Sequence, residues 1–273
     1  MTSEEILDKI HKLSLRILLA FDKICRENNL TYFLDSGTAL GAVRHGGFIP
    51  WDDDVDVGMP RKDYEKFLQI AQKQLPENLF LQTRQTDSLY ERNFAKIRLR
   101  ETIFQEYKDL PYGQNGFFID VFPFDNVPSN QYIAKIIIII SRLYYHFLAS
   151  WYGRKDASSK VRQMIRKSIR RMPASQIESL NERYLRFCRK YEYKSTGYIT
   201  CFFWRMTQHN TYIFDERQIF PTKDILFEGH PVRIMNNPDY YLSHMYGDYM
   251  TLPPENQRCN HHLNGLIDFG EYI

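Results

Sequence analysis

A mixed α+β fold, a sheet-bearing core carrying an added helical region, follows from three observations on this 273-residue chain. Short runs rich in valine and aromatic residues alternate with helical-period segments up to residue 128. Long helical patterns then fill residues 129–195, and mixed patterns return over 196–273. The expected organisation is therefore a core of 1–128, a helical region of 129–195, and a segment of 196–273 that completes a cleft in the core. With 43% hydrophobic residues the chain can bury a core of that size.

The elements can be justified in order. Ile6, Leu7, Ile10, Leu13, Ile17, Leu18, Phe21 and Ile24 recur at helical spacing, which predicts a helix over 3–27 with Ser3 as its cap. "TYFLD" reads as a short buried strand that runs into "SGTALGAVR", where glycine and small residues suit a tight turn opening a helix. "DVDVGM" follows as a second strand. Its alternation of acid and valine sends Asp54 and Asp56 to one face, and leaves Asp53 turned away as a structural residue.

Tyr64, Phe67, Leu68 and Ala71 predict a helix over 61–74, ended by Pro76. "NLFLQTR", "RNFAKIRLRETIFQEY" and "NGFFIDVFPFD" are strand-like, the last built around Asp120. Helices are expected over 129–152, 158–171 and 175–191, a hairpin at "DILFEGHPVRI", and a helix in "DYYLSHMYGDYM" that stops at Gly247.

Composition excludes several functions. A formal net charge of +3 gives no global field of a nucleic-acid binder. Cys25, Cys188, Cys201 and Cys259 form no CxxC pair, so neither a disulfide framework nor a zinc ribbon is expected, and the spacing of Cys259, His261 and His262 is poor for a metal. "MTSEEILDKIHKL" lacks the apolar centre of a secretory signal, so a cytoplasmic location is expected. "YIAKIIIIISRLYYHFLASWYG" is too short between Lys135 and Arg142 to cross a bilayer. It reads as a buried element or, with the basic run "KVRQMIRKSIRR", as a peripheral membrane contact through 132–171 at the inner face of the cell membrane.

The chemistry concentrates in "SGTALGAVRHGGFIPWDDDVDVGMP". Asp54 and Asp56, two apart on a strand, make a costly pair of like charges unless a cation neutralises them. A hard divalent ion with oxygen ligands does so, which makes Asp52, Asp54, Asp56 and Asp120 candidate ligands for Mg2+, with Mn2+ as a substitute. The turn Ser36-Gly37-Thr38 at a helix start can cradle phosphates, and Arg44, His45, Lys96 and Arg98 are candidate phosphate contacts.

The order strand, "SGT", helix, "DVDV", then an isolated "IDV" resembles the nucleotidyltransferase fold. The fuller strings "FLDSGTALGAVRHGGFIPWDDDVDVGMPRKDYEKF", "FAKIRLRETIF", "GFFIDVFPFD" and "MYGDYMTLPPENQR" resemble the LicD family of phosphocholine transferases, which includes the fukutin-type enzymes. That resemblance implies a nucleotidyltransferase-like catalytic core and magnesium-dependent transfer of phosphocholine from CDP-choline to a sugar hydroxyl. The implied acceptor is a lipid-linked glycan, a teichoic acid or lipopolysaccharide precursor. It implies Asp54 and Asp56 as paired metal ligands, Asp52 as the leading acid, Asp120 as the later acid, and Ser36-Gly37-Thr38 as the phosphate turn. Asp120 or Asp52 is the candidate proton acceptor, with Asp120 preferred. A quaternary ammonium calls for aromatic faces, for which Trp51 and Tyr112 are nearest in sequence. The alternatives are a nucleotidyltransferase acting on a small molecule or protein, a transferase using another CDP-activated polyol phosphate, and a non-catalytic binding module.

Overall fold

A computed structural model describes residues 2–106, 115–151, 164, 167–194, 196–203, 212–260 and 265–272. Tyr112, His261 and His262 lie outside the described residues, as does most of the helix expected over 158–171.

Helix α1 (Ser3–Glu27) opens on a capping box: Thr2 accepts from the Glu5 amide while the Glu5 carboxylate accepts from the Thr2 amide. The cap is thus Thr2, one residue before the expected Ser3, because the reciprocal partner three residues on is a glutamate. The α1 stripe from Leu7 to Ile24 is buried along the predicted spacing. Strand β1 (Phe33–Leu34) leads into α2 (Ser36–His45), β2 (Asp56–Pro60) and α3 (Arg61–Gln74). Next come β3 (Leu79–Gln82), β4 (Ala95–Leu99), β5 (Ile103–Phe104) and the ten-residue β6 (Phe118–Val127).

Among the described residues the helical region includes α4 (Gln131–Trp151) and α5 (Ala174–Cys188). The chain returns through β7 (Tyr198–Thr200), β8 (Phe214–Asp215), the short α6 (Glu216–Ile219), the hairpin β9 (Lys223–Phe227) with β10 (His230–Ile234), α7 (Pro238–Tyr246) and β11 (Ile267–Asp268). Gly247 stops α7 at the expected position.

Among the described residues seven strands form one sheet in the order β1-β2-β6-β4-β3, with β7 on the far half of β6 and β8 beyond it. β2 runs parallel to β6; the other pairs are antiparallel. The fold is mixed α+β, as the alternating patterns predict. Helices α1 and α3 bring their apolar stripes against the sheet, where Phe21 meets Phe67 edge-on at 5.1 Å between ring centroids. Because side chains alternate across a pleated sheet, the buried row Val57, Val121, Ala95 faces opposite to the row Asp56, Asp120, Lys96. The register places that second row. No helix among the described residues is long and apolar enough to cross a membrane. All four cysteines are free.

Candidate active site

The site is built where β2 and β6 begin. In parallel register Asp56 lies beside Asp120, and across the antiparallel pairs Asp120 lies beside Lys96 and Lys96 beside Gln82. Four strands therefore carry one polar row through a buried sheet. Asp56 and Asp120 are 5% and 7% exposed, and Lys96 is fully buried.

Asp54 stands differently from the expectation. The strand begins at Asp56, and residues 52–55 reach it as irregular chain, so strand alternation does not orient Asp54. The β1–β2 ladder starts at Val57 opposite Leu34 and the β2–β6 ladder at Asp56 opposite Asp120, two residues or more beyond Asp54. Asp53, expected to turn away, belongs to the same group of acids. Carboxylate oxygens of Asp52, Asp53 and Asp54 lie within 4.8 Å of one another, with Asp53 buried.

Two distant parts of the chain hold this acidic loop. Gly46, in the left-handed region at φ 72°, ends α2 and lets the chain reverse. Glu228, from the β9–β10 turn, accepts from the Phe48 amide at 2.9 Å and covers Gly47 so closely that a Cβ there would collide with its carboxylate. From α1, His11 bonds through Nε2 to the Asp52 carbonyl at 2.7 Å and stacks on Phe48 at 4.1 Å. Burial pushes the His11 imidazole below its ordinary range, which favours the neutral ring.

The "SGT" turn opens α2 as expected, and each of its residues has a different task. Ser36 adopts φ 46°, a conformation glycine prefers. Gly37 lies under the Asp52 carboxylate, 2.7 Å from where its Cβ would stand, so the acid rests over the first turn of the helix. Thr38 accepts the Asp56 amide at 2.9 Å and ties α2 to β2.

Asp35, immediately before this turn, is a fully buried acid. It accepts from the Ser36 amide at 2.9 Å, from the Tyr212 hydroxyl at 3.1 Å, and from the Tyr241 hydroxyl. Its own amide donates to the Asp56 carbonyl at 2.9 Å. Tyr246 stands beside the acids as well. Burial, then the charges of Asp35, Asp52 and Asp56, holds its phenol well above the ordinary range.

Lys96 and Arg98 share one face, as predicted, and both are engaged inside the protein. Lys96 Nζ is 2.6 Å from Asp120 Oδ1 and 3.1 Å from Glu106 Oε1, and sits 3.4 Å above the Phe118 ring centroid. Arg98 donates to Glu106 at 2.6 Å, to the Gly116 carbonyl at 2.7 Å and to Gln82 at 2.5 Å. Glu106 thus gathers both cations, and Arg98 at 2% exposure supports the row from behind. The Lys96 ammonium is drawn below its usual range by burial, against the attraction of Asp120 and Glu106.

Arg44, His45 and Trp51 cluster at a second rim. Arg44 donates to the Tyr249 carbonyl at 2.8 Å and to His45 Nε2 at 3.0 Å, and the His45 ring meets Trp51 edge-on at 6.2 Å. Arg258 covers one face of Trp51 at 5.2 Å. Desolvation, with Arg44 beside it, pulls the His45 imidazole below its ordinary range.

Chemically, the loop and row present carboxylate oxygens with no soft ligand among them. Asp56 reports the cost: burial first, then Asp54, Asp120, Asp35 and Asp52, push its carboxyl well above the ordinary range. A hard divalent cation meets that donor set, so the residues fit magnesium.

Residues 29–155 match the sequence model described as "LicD/FKTN/FKRP, nucleotidyltransferase domain". The likeness to a LicD-family domain covers those residues. The LicD-type segment contains every acid of the row and loop. Over 263 residues, the chain is 29% identical to the lipopolysaccharide cholinephosphotransferase LicD of Haemophilus influenzae, covering 91% of this chain and 93% of that protein. A shorter stretch of 48 residues is 50% identical to an uncharacterized protein of Rickettsia typhi, 18% of this chain and 16% of that one. A further 32-residue stretch is 56% identical to human ribitol 5-phosphate transferase FKRP, 12% of this chain and 6% of that protein.

Sequence reasoning did not single out Asp35, Glu106, Tyr212 or Tyr241, and it set Asp53 aside. Asp35 had a signal, since an acid directly before a small-residue helix start is a natural N-cap. Glu106 had none, because what makes it part of the site is the register that brings two cations to it.

Proposed function

We propose that this protein is a magnesium-dependent phosphocholine transferase that moves phosphocholine from CDP-choline to a sugar hydroxyl of a lipid-linked glycan precursor. Near end-to-end similarity to a lipopolysaccharide cholinephosphotransferase supports lipopolysaccharide over teichoic acid as the acceptor class. The observation that carries the reading is the acidic loop of Asp52, Asp53 and Asp54 leading directly into Asp56, which lies beside Asp120 in the sheet, in such a chain. The proposed setting is the cytoplasmic face of a membrane.

The transfer forms one bond from the sugar oxygen to phosphorus and breaks the bond from phosphorus to the CMP oxygen. CMP leaves as a phosphate anion and needs no proton. The sugar hydroxyl loses its proton, which Asp120 accepts; Lys96, 2.6 Å away, holds that carboxylate in place. Asp52, Asp54, Asp56 and Asp120 are the residues that would hold the magnesium, with Asp53 beside them. When bound, the ion neutralises these acids and the charge that develops on the phosphoryl oxygens. Arg44 and Arg258 at the rim are the cations proposed to meet the donor's phosphates. Trp51, half-buried beside Arg258 and His45, is the aromatic side chain proposed to meet the choline ammonium.

The test combines CDP-choline, magnesium and lipopolysaccharide acceptor. CMP release that depends on acceptor is expected, and an Asp54→Ala/Asp56→Ala variant should lose it. CMP release by that variant at the normal rate would overturn the metal assignment, and nucleotide label in the product would replace phosphocholine transfer with nucleotidyl transfer. Similarity to a ribitol 5-phosphate transferase makes CDP-ribitol the donor to compare, by the melting-temperature rise each ligand produces.

A further inference from the structure

We infer that the exposed face of α4 lies on an anionic lipid surface. Tyr132, Ile133, Ile136, Ile139, Ile140 and Leu143 are 80, 47, 56, 54, 38 and 66% exposed. At about 100° per residue these six fall within an arc of about 120° along one side of the helix. The opposite side, with Ala134, Ile137, Ile138 and Leu148, is buried, and Ser141 there meets the Tyr184 hydroxyl of α5 at 3.0 Å. One helix therefore carries two apolar faces, and protein covers one of them.

Charge identifies what covers the other. From Gln131 to Trp151 the helix has no acidic residue, and Lys135 and Arg142 border the apolar arc on one side. Residues 152–171 contain eight lysines and arginines against a single aspartate. Arg170 donates to the Ser150 carbonyl at 3.4 Å and Trp151 donates to the Met172 carbonyl at 3.1 Å, which brings exposed Arg170 and Arg171 to the C-terminal end of α4. On α5, Glu178 is held by Arg84, and Glu182, one turn on, shares that side of the helix.

Apolar side chains bordered by cations match a bilayer interface, where the chains enter the acyl boundary and the cations meet anionic headgroups. A second copy of the chain fits poorly. Pairing two such faces would crowd like-charged borders together, since a two-fold interface is self-complementary. The helix would lie in the interface plane. The inference stands on α4 and its neighbours and not on the transfer reaction.

Co-sedimentation with vesicles tests it. The protein should pellet with phosphatidylglycerol–phosphatidylethanolamine vesicles at low salt, more weakly at high salt, and far less with phosphatidylcholine. An Ile136→Ser/Leu143→Ser variant should partition at least about tenfold less while keeping the wild-type melting temperature, because both side chains are exposed. Lys135→Gln/Arg142→Gln should weaken binding several-fold and flatten its salt dependence. Three results would overturn the inference: wild-type protein that stays in the supernatant with phosphatidylglycerol vesicles, equal binding to phosphatidylcholine, or a solution dimer that the serine variant splits.

Discussion

Removing one charge from the acidic row should stabilise the metal-free protein. In Asp56→Asn the perturbation is nearly isosteric, and the new amide can donate to neighbouring carboxylates. Strands about 4.8 Å apart place the Asp56 and Asp120 carboxylates about 5 Å from each other, so two full charges repel by about 3 kcal/mol at an effective dielectric constant of ~20. Lys96, 2.6 Å from Asp120, offsets part of this, while Asp54, Asp35 and Asp52 add to it. A net relief of about 1–3 kcal/mol corresponds to a melting temperature roughly 2–10 °C higher in a chain of this size.

The pH dependence has a definite sign. Because the Asp56 carboxyl is raised in the folded state, wild type carries no penalty below the unfolded value of about 3.9, and loses stability as pH rises from there towards the folded value. The asparagine does not titrate. Its advantage should therefore be absent in acid and grow across that window. The assay is thermal melting of both proteins in chelator over a pH series, then with added magnesium, which should favour wild type. A variant that melts at or below wild type in chelator at neutral pH would refute like-charge repulsion as the dominant cost of the row.

Two further substitutions probe the supports. Lys96→Met leaves Asp120 and Glu106 buried without their shared cation and should cost about 3–5 kcal/mol in urea denaturation, more than a loss of packing alone. Tyr241→Phe removes one hydroxyl from buried Asp35 and should cost about 1–3 kcal/mol. Combined with Tyr212→Phe the two costs should be non-additive, since both hydroxyls serve the same carboxylate and stand 3.2 Å apart.

Much of the fold was legible because periodicity reports burial directly. The α1 stripe, the α3 bounds and the β9–β10 hairpin follow from spacing that either fits a helix or alternates around a turn. What sequence does not carry is register. Lys96 and Arg98 look like available cations in isolation, and their engagement with Asp120 and Glu106 exists because β4 pairs β6 with Lys96 opposite Asp120. Asp53 and Asp54 show the same limit from another side: alternation assumes a strand, and here the strand starts two residues later. Asp35 was visible as a cap, while its two tyrosines come from positions about 180 and 200 residues away by sequence separation.

The parts that hold the acids have a consequence for how the protein is made. The LicD-type segment ends at residue 155, yet Asp35 is closed by Tyr212 and Tyr241, the acidic loop is clamped by Glu228, and Trp51 is capped by Arg258. On the ribosome the acids emerge long before the groups that confine them. A chain released after residue 155 would keep the recognisable motif and lose its back wall, so it should expose a repelling cluster of carboxylates with nothing to set their spacing. Competence at this site arrives late, when the last third of the polypeptide closes over the first.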